Sequence, residues 1–280
     1  MSDKKIDIRG LSKIKLTDWF LAEGEKKFRA NQVWEWLWQK SAISFEEMSN
    51  LSIGLRDKLN EHFVINPVIT DSSQFSSDRT IKSGFKLFDG HLVEGVLIPT
   101  PKRMTACVSS QVGCSLSCKF CATGYMDRER NLTAAEIYDQ VVLIKKQAED
   151  NYQAPLTNVV YMGMGEPLLN YAGTLGSIER LTAPDGLNWS PKRITVSTAG
   201  IAKMIRKLGD DKVKFNLALS LHAANDEKRN QIMPINESNS LQNLRDALNY
   251  FLPKKQGNQI TFGIPNFPWF HDKIEDAQSF

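Results

Sequence analysis

All four cysteines of the chain fall within fifteen positions, in the stretch Cys107-Val-Ser-Ser-Gln-Val-Gly-Cys114-Ser-Leu-Ser-Cys118-Lys-Phe-Cys121. The last three have the spacing C-x3-C-x2-C. Thiolates this close on one short loop can converge on a single inorganic centre. Iron–sulfur clusters are held by cysteine thiolates, usually four to a cluster. Three thiolates suit a [4Fe–4S] cluster with one iron left open to another ligand. The spacing alone leaves rivals. A structural zinc site needs four closed ligands, which Cys107 or a distant histidine would have to complete, and no C-x2-C…H-x3-5-H pattern is present. Disulfides fit poorly with a chain that opens Met-Ser-Asp-Lys-Lys and has no apolar signal segment, for which a reducing cytosol is the expectation. Simple core thiols are the third alternative, and the tight clustering argues against them.

Further polar residues fall where predicted strands end. A strand predicted over Asn158–Met162 runs into the turn Gly163-Met-Gly165-Glu166-Pro167, and one predicted over Arg193–Ser197 ends on Ser197. In Lys214–His222, Phe215, Leu217, Leu219 and Leu221 share one face, while Asn216, Ala218, Ser220 and His222 share the other. In a β/α barrel the apolar face meets the helices and the small polar face points inward, so such an interior is built to hold something polar. Barrel active sites lie at strand C-terminal ends, where Glu166, Ser197, Ser220 and His222 fall. Glu94 lies inside the apolar run Leu92–Pro99. An outward glutamate on a half-buried strand is ordinary; one aimed into a cleft can act as a general base.

These residues need elements to place them. Strands alternating with helices after the cysteines, the first helix opened by the capping box Thr133-Ala-Ala-Glu136, predict parallel β/α packing. Asp89-Gly90 between two β-rich runs predicts a hairpin. Residues 1–66 read as three or four helices, with apolar sets Leu16/Trp19/Phe20, Val33/Trp34/Leu37/Trp38 and Phe45/Met48/Leu51/Leu55/Leu59. The polar run 70–78 reads as a linker. The expected division is a helical accessory domain over 1–75, a β-hairpin connector over 76–99 and a catalytic core over 100–280.

The composition is that of a globular protein, with 41% hydrophobic and 24% charged residues and a net charge of +3 over 280 residues. No apolar run approaches the roughly eighteen residues a membrane span needs. Up to Asp71 eleven basic residues cancel eleven acidic ones, so no basic nucleic-acid clamp is evident there. The positive excess lies in Pro99–Arg130, five against two, and Arg180–Lys214, eight against three; phosphate contacts are expected in those windows. Trp34, Trp36 and Trp38 could stack on bases, though Trp34 and Trp38 at helical spacing read as core.

The combined motifs resemble a known family. Cys114-x3-Cys118-x2-Cys121 with a following β/α barrel and Gly163-Met-Gly-Glu-Pro resembles the radical S-adenosylmethionine (SAM) superfamily. The longer strings around Cys107–Gly124, Val196–Gly200 and Leu219–His222 are similar to its dual-specificity RNA (adenine-C2) methyltransferases, from about residue 8 to 262. The resemblance implies an α/β fold, a partial (β/α) barrel with a small helical N-terminal domain. It implies that Cys114, Cys118 and Cys121 ligate the cluster, and that Gly165, Glu166, Ser197, Ser220, Leu221 and His222 contact SAM. Glu94 is then the proton acceptor, and Cys107 the thiol that resolves a protein–RNA adduct by forming a disulfide. Adenine C2 is no nucleophile, so in this family a SAM-derived radical activates a methylated cysteine near the C-terminus. Implied partners are 23S rRNA, tRNA and an electron donor such as flavodoxin, for a cytoplasmic monomer. The related adenine-C8 methyltransferases share these motifs, and a zinc-dependent RNA-binding module is the alternative from another class.

The chain departs from that pattern at one point. No cysteine follows Cys121, and from Gly263 to Phe280 the resemblance weakens, with Pro265 and Pro268 where a strand is expected. The expectation is a C-terminally incomplete copy, inactive alone, lacking the methyl-carrying cysteine and the last barrel strand.

Overall fold

The computed structural model describes residues 5–254, 259–264 and 270. The expected weakening of the resemblance beyond residue 264 therefore lies almost wholly outside the described residues.

The N-terminal region folds as three helices, α1 Lys13–Ala22, α2 Phe28–Trp38 and α3 Ile53–His62. Ser12 and Ser52 cap α1 and α3 by accepting main-chain N–H bonds from Lys15 and Leu55. Such caps satisfy donors that the first helical turn leaves without partners. The three apolar sets read from the sequence supply the interior: Leu16, Phe20, Val33, Trp34, Leu37, Trp38, Phe45, Met48, Leu51, Leu55 and Leu59 are all buried. Trp34 and Trp38 are thus core. Arg180 lays its guanidinium over both rings, at 4.8 and 5.7 Å. A short parallel pair, β1 Ile6–Asp7 and β2 Phe63–Val64, closes this region.

Eight of the remaining strands form one sheet. Its order is β12-β11-β10-β9-β6-β5-β4-β3, where β3 is Ile69–Phe75, β4 Ile81–Lys86, β5 Leu92–Thr100 and β6 Arg103–Cys107. The parallel portion adds β9 Asn158–Tyr161, β10 Ile194–Thr198, β11 Asn216–Ser220 and β12 Ile260–Gly263. Helices α4 Ala134–Tyr152, α5 Tyr171–Thr182 and α6 Ala202–Asp210 make three of the crossovers. The last crossover carries α7 Asp226–Ile232 and α8 Leu241–Phe251. The capping box of α4 forms as the sequence predicts.

Two expectations are modified. The hairpin β4–β5 turns at Asp89-Gly90, with Gly90 at φ 88°, but β5 also pairs with β6, so the hairpin is part of the main sheet. The polar run 70–78 is no linker over most of its length, because β3 occupies Ile69–Phe75 and pairs antiparallel with β4. Every residue of β3 is exposed, so no alternation betrays it; it is held by its backbone ladder as an edge strand.

Strand register fixes which side chains share a face. Val96 lies opposite Cys107, Cys107 opposite Val160, Val160 opposite Thr195, and Ser197 opposite Ala218. Side chains alternate along each strand. Glu94, Cys107, Ser197, Ala218 and Ser220 therefore stand on one face of the sheet.

Candidate active site

The cysteine loop is closed at its base by a two-residue antiparallel pair, β7 Gln111–Val112 with β8 Arg130–Asn131. Gly113 starts the loop at φ 72°, where a Cβ would lie 1.8 Å from the Asp127 carbonyl oxygen, so only glycine fits. Inside the loop the Cys121 N–H donates to the Cys118 carbonyl at 3.1 Å, and the Gly124 N–H to the Cys121 carbonyl at 2.9 Å. These tight turns bring the C-x3-C-x2-C thiols to one wall. The Lys119 N–H donates to the Ile232 carbonyl at 3.0 Å, tying the loop to the end of α7.

A cavity of about 360 Å³ opens at the C-terminal ends of the parallel strands. Cys114, Cys118 and Cys121 line one side; Gly163, Gly165 and Glu166 follow β9; Ser197, Ser220 and His222 stand at the ends of β10 and β11. Eight of the eleven residues singled out from the sequence thus meet here, and Gly163 with them. The hydroxyls of Ser197 and Ser220 are 3.5 Å apart. His222 adopts the left-handed backbone region at φ 62°, and the Phe120 ring meets its imidazole edge-on at 4.6 Å. A non-glycine residue there is a local irregularity of the kind that collects at functional sites.

The loop after β9 is strapped to the segment after β6. The Ser109 hydroxyl donates to the Glu94 carbonyl at 2.6 Å and accepts from the Met164 N–H at 2.8 Å. The Gln111 side-chain carbonyl accepts from the Glu166 N–H at 2.9 Å. A Cβ on Gly163 would lie 2.8 Å from the Ser109 nitrogen, and one on Gly165, at φ 89°, 2.5 Å from the Gln111 Cβ. Glu166 is buried and turned into structure: its carboxylate accepts from Leu168 N–H at 3.0 Å and Ala199 N–H at 2.7 Å. Burial raises its pKa, partly offset by these bonds and one from Thr198.

Burial pushes Cys118 up to about 12, reinforced by Cys114, Cys121 and Glu166 and opposed by Arg229. Cys114 is raised chiefly by burial as well. Among the described residues, no three His, Cys, Asp or Glu side chains gather around one point as a single ion requires. A structural zinc needs four ligands about one centre. In a [4Fe–4S] cluster each thiolate meets a different iron, so the ligands stand farther apart. Three thiols spread along one wall of a cavity fit the cluster better than zinc.

Three of the singled-out residues lie elsewhere. Leu221 turns its side chain to the opposite face of the sheet, into an apolar groove of about 570 Å³ beside Leu241, Leu244 and Leu248 of α8. Its N–H donates to Gly263 and its carbonyl accepts from Arg229. Cys107 is buried on β6 and pushed up to about 11 by burial, with the Met162 N–H as a weak opposing donor. All four cysteines are free thiols, so the disulfide that the resemblance implies for Cys107 is not made. Glu94 lies outside the cavity wall. Its side chain is 52% exposed and pairs with Lys82 at 2.6 Å, on the face shared with Cys107.

Sequence reading missed Arg229, which is fully buried beside the cysteine loop. Its setting, Asp226-Glu-Lys-Arg-Asn, reads as a solvated helix face and carries no signal of burial. Ser109 and Gln111 were also missed, although they lie inside the cysteine stretch itself.

Comparison with known proteins bears on these arrangements. A family model described as "Ribosomal RNA large subunit methyltransferase N-terminal domain" matches residues 6–65, and one described as "Radical SAM superfamily" matches 108–278. The chain is 62% identical over 275 residues to a "Probable dual-specificity RNA methyltransferase RlmN" of Cytophaga hutchinsonii, covering 98% of this chain and 75% of that protein. With the protein of the same description from Christiangramia forsetii it shares 52% identity over 279 residues, covering 100% of this chain and 79% of the relative. The crystal structure of a radical SAM methyltransferase from Sphaerobacter thermophilus superimposes with a TM-score of 0.90 at 34% identity, covering 98% of this chain and 80% of that one.

Proposed function

Because the chain belongs to the RlmN family of radical SAM RNA methyltransferases, we propose that Cys114, Cys118 and Cys121 hold a [4Fe–4S] cluster beside a SAM site, for methylation at C2 of an adenine in ribosomal and transfer RNA. One observation carries this reading: the three thiols share a cavity with the Gly163–Glu166 turn, Ser197, Ser220 and His222. Held by these three thiols, such a cluster would supply the electron for reductive cleavage of SAM.

The chain's own residues supply placement. Gly165 lines the cavity, and its φ of 89° with Gln111 packed against it lets the turn run close to that segment. Glu166 spends its carboxylate on the Leu168 and Ala199 N–H groups, and so sets the distance between the ends of β9 and β10. Ser197 and Ser220 offer paired hydroxyls to the polar part of SAM, and His222 a ring held against Phe120. Leu221 contributes through the main chain that continues Ser220 into His222. Leu116 and Met233 form apolar wall and help exclude water from a radical.

Glu94 is the acceptor for the C2 proton on this reading, and its carboxylate must exchange Lys82 for that proton. Cys107 resolves the adduct, for which its buried thiol must become accessible and lose its proton. Three of the four thiols are cluster ligands and the fourth is Cys107, so the methyl-carrying cysteine of the family is not among these 280 residues. A flavodoxin-like protein serves as electron donor.

The test is anaerobic reconstitution with iron and sulfide, followed by dithionite, SAM and rRNA or tRNA. The 280-residue polypeptide should form 5′-deoxyadenosine and leave the RNA without 2-methyladenosine by mass spectrometry. Failure to cleave SAM would refute the radical-generating assignment. Appearance of 2-methyladenosine would refute the assignment of the four thiols.

A further inference from the structure

We propose that Arg229 is the fixed counter-charge of the three-thiolate site: its buried guanidinium pins the ends of β10 and β11 beside Cys118 and favours the reduced state of the cluster. The inference rests on the cluster reading above and adds to it a residue that sets the ease of the electron step.

Arg229 has 0% exposure, although it sits in the most charged stretch of the last crossover. Its donors are spent on neutral acceptors. Nη2 donates to the Ala199 carbonyl at 2.6 Å and the Ser220 carbonyl at 3.2 Å. Nε donates to the Leu221 carbonyl at 2.9 Å, and Nη1 donates to the Asn236 side-chain oxygen. One guanidinium thus holds the exits of two adjacent strands, which a lysine's point-like ammonium could not do with the same geometry. The turn beside it is tight: a Cβ on Gly200, at φ 105°, would stand 2.9 Å from the Leu244 methyls and 3.3 Å from Nη2.

Among the described residues no carboxylate lies within ion-pair distance of Arg229. Asp226, the acid it senses, has its Oδ1 engaged by the Asn236 amide at 2.8 Å and the Leu241 N–H at 2.9 Å. A buried cation whose nearest carboxylate is reached only through the Asn236 amide is costly, and such a charge favours a further anion nearby. Cys118 packs in one buried cluster with Ala199 and Met233, both hydrogen-bonded to Arg229, and as a cluster ligand its thiolate would be that anion. The Lys119–Ile232 bond makes the cysteine loop and the end of α7 one unit, so guanidinium and thiolates keep a fixed separation.

The charge balance gives the direction of the effect. Three thiolates on a cluster core of charge 2+ carry one net negative charge, and one electron from an external donor raises that to two. A fixed positive charge nearby stabilises the more negative state. The effect of Arg229 is therefore to make reduction easier, apart from its part in holding the strand ends.

The experiment is a redox titration of the reconstituted 280-residue protein with dithionite, following the electron paramagnetic resonance signal of the reduced cluster. Arg229→Met should shift the midpoint potential to more negative values. Arg229→Lys should keep the potential near that of the parent while lowering the thermal midpoint, because it restores the charge without the fork. Asp226→Asn, which keeps the Oδ1 acceptor, should shift the potential to more positive values. If Arg229→Met does not fold, the other two variants decide. Cluster formation with unmoved potentials in Arg229→Met and Asp226→Asn would overturn the inference and leave Arg229 a structural brace. A parent protein that assembles no cluster would overturn the functional reading and this inference with it.

Discussion

The carboxylate of Glu166, in the loop after β9, accepts the main-chain N–H of Ala199, just past the end of β10, at 2.7 Å. Its other oxygen accepts from Leu168 at 3.0 Å. One buried side chain thereby fixes two strand exits that both line the cavity. The sequence presents Glu166 as a ligand contact, yet both of its oxygens already carry main-chain bonds.

Glu166→Gln should accordingly act on architecture first. An amide offers one acceptor where the carboxylate offers two, so one buried N–H loses its partner. The expected cost is about 1–3 kcal/mol in folding stability. Denaturant unfolding of the metal-free protein measures it. An unchanged midpoint would show that the cross-loop bond is dispensable.

Cys107 predicts a pH dependence. Its folded thiol is pushed from the usual 9.0 up to about 11 by burial, so it binds its proton more tightly folded than unfolded. The resulting stability is complete below about pH 9 and is lost as the pH rises through about 11. A shift of that size is worth about 2–3 kcal/mol. Metal-free protein and its Cys107→Ala variant, unfolded in urea across this range under reducing conditions, should lose stability by amounts that differ in that direction. Parallel curves would place the thiol in a more solvated setting.

The strand leading to His222 was legible because its two faces differ in kind. Phe215, Leu217, Leu219 and Leu221 against Asn216, Ala218, Ser220 and His222 leave one arrangement, in which Leu219 and Leu221 reach the groove beside α8 while Ala218, Ser220 and His222 line the cavity. The same logic assigns Leu221 to the α8 side, so its place among the ligand contacts cannot be a side-chain role. Strand β3 was illegible because an edge strand exposed on both faces has no hydrophobic period to display. Arg229 was illegible for a different reason. Its burial is decided by carbonyls 30, 9 and 8 residues earlier, at Ala199, Ser220 and Leu221, and local sequence carries no trace of them.

Leu221 and Ser220 should therefore part company on mutation. Leu221→Ala should lower stability by about 2 kcal/mol through lost packing against α8 and leave SAM affinity unchanged. Ser220→Ala should weaken SAM binding with little change in stability. Equilibrium binding of SAM to the reconstituted protein, beside urea unfolding, separates the two. A Leu221→Ala variant with weakened SAM binding and parental stability would reverse the assignment of faces.

The division of the four cysteines into three ligands and one separate thiol is tested most directly by iron and sulfide content after anaerobic reconstitution of the parent, Cys118→Ala and Cys107→Ala. About four iron and four sulfide per chain are expected in the parent and in Cys107→Ala, with a reduced-cluster signal that SAM perturbs. Cys118→Ala should lose all of it. A cluster that survives Cys118→Ala, or one that disappears with Cys107→Ala, would contradict the account.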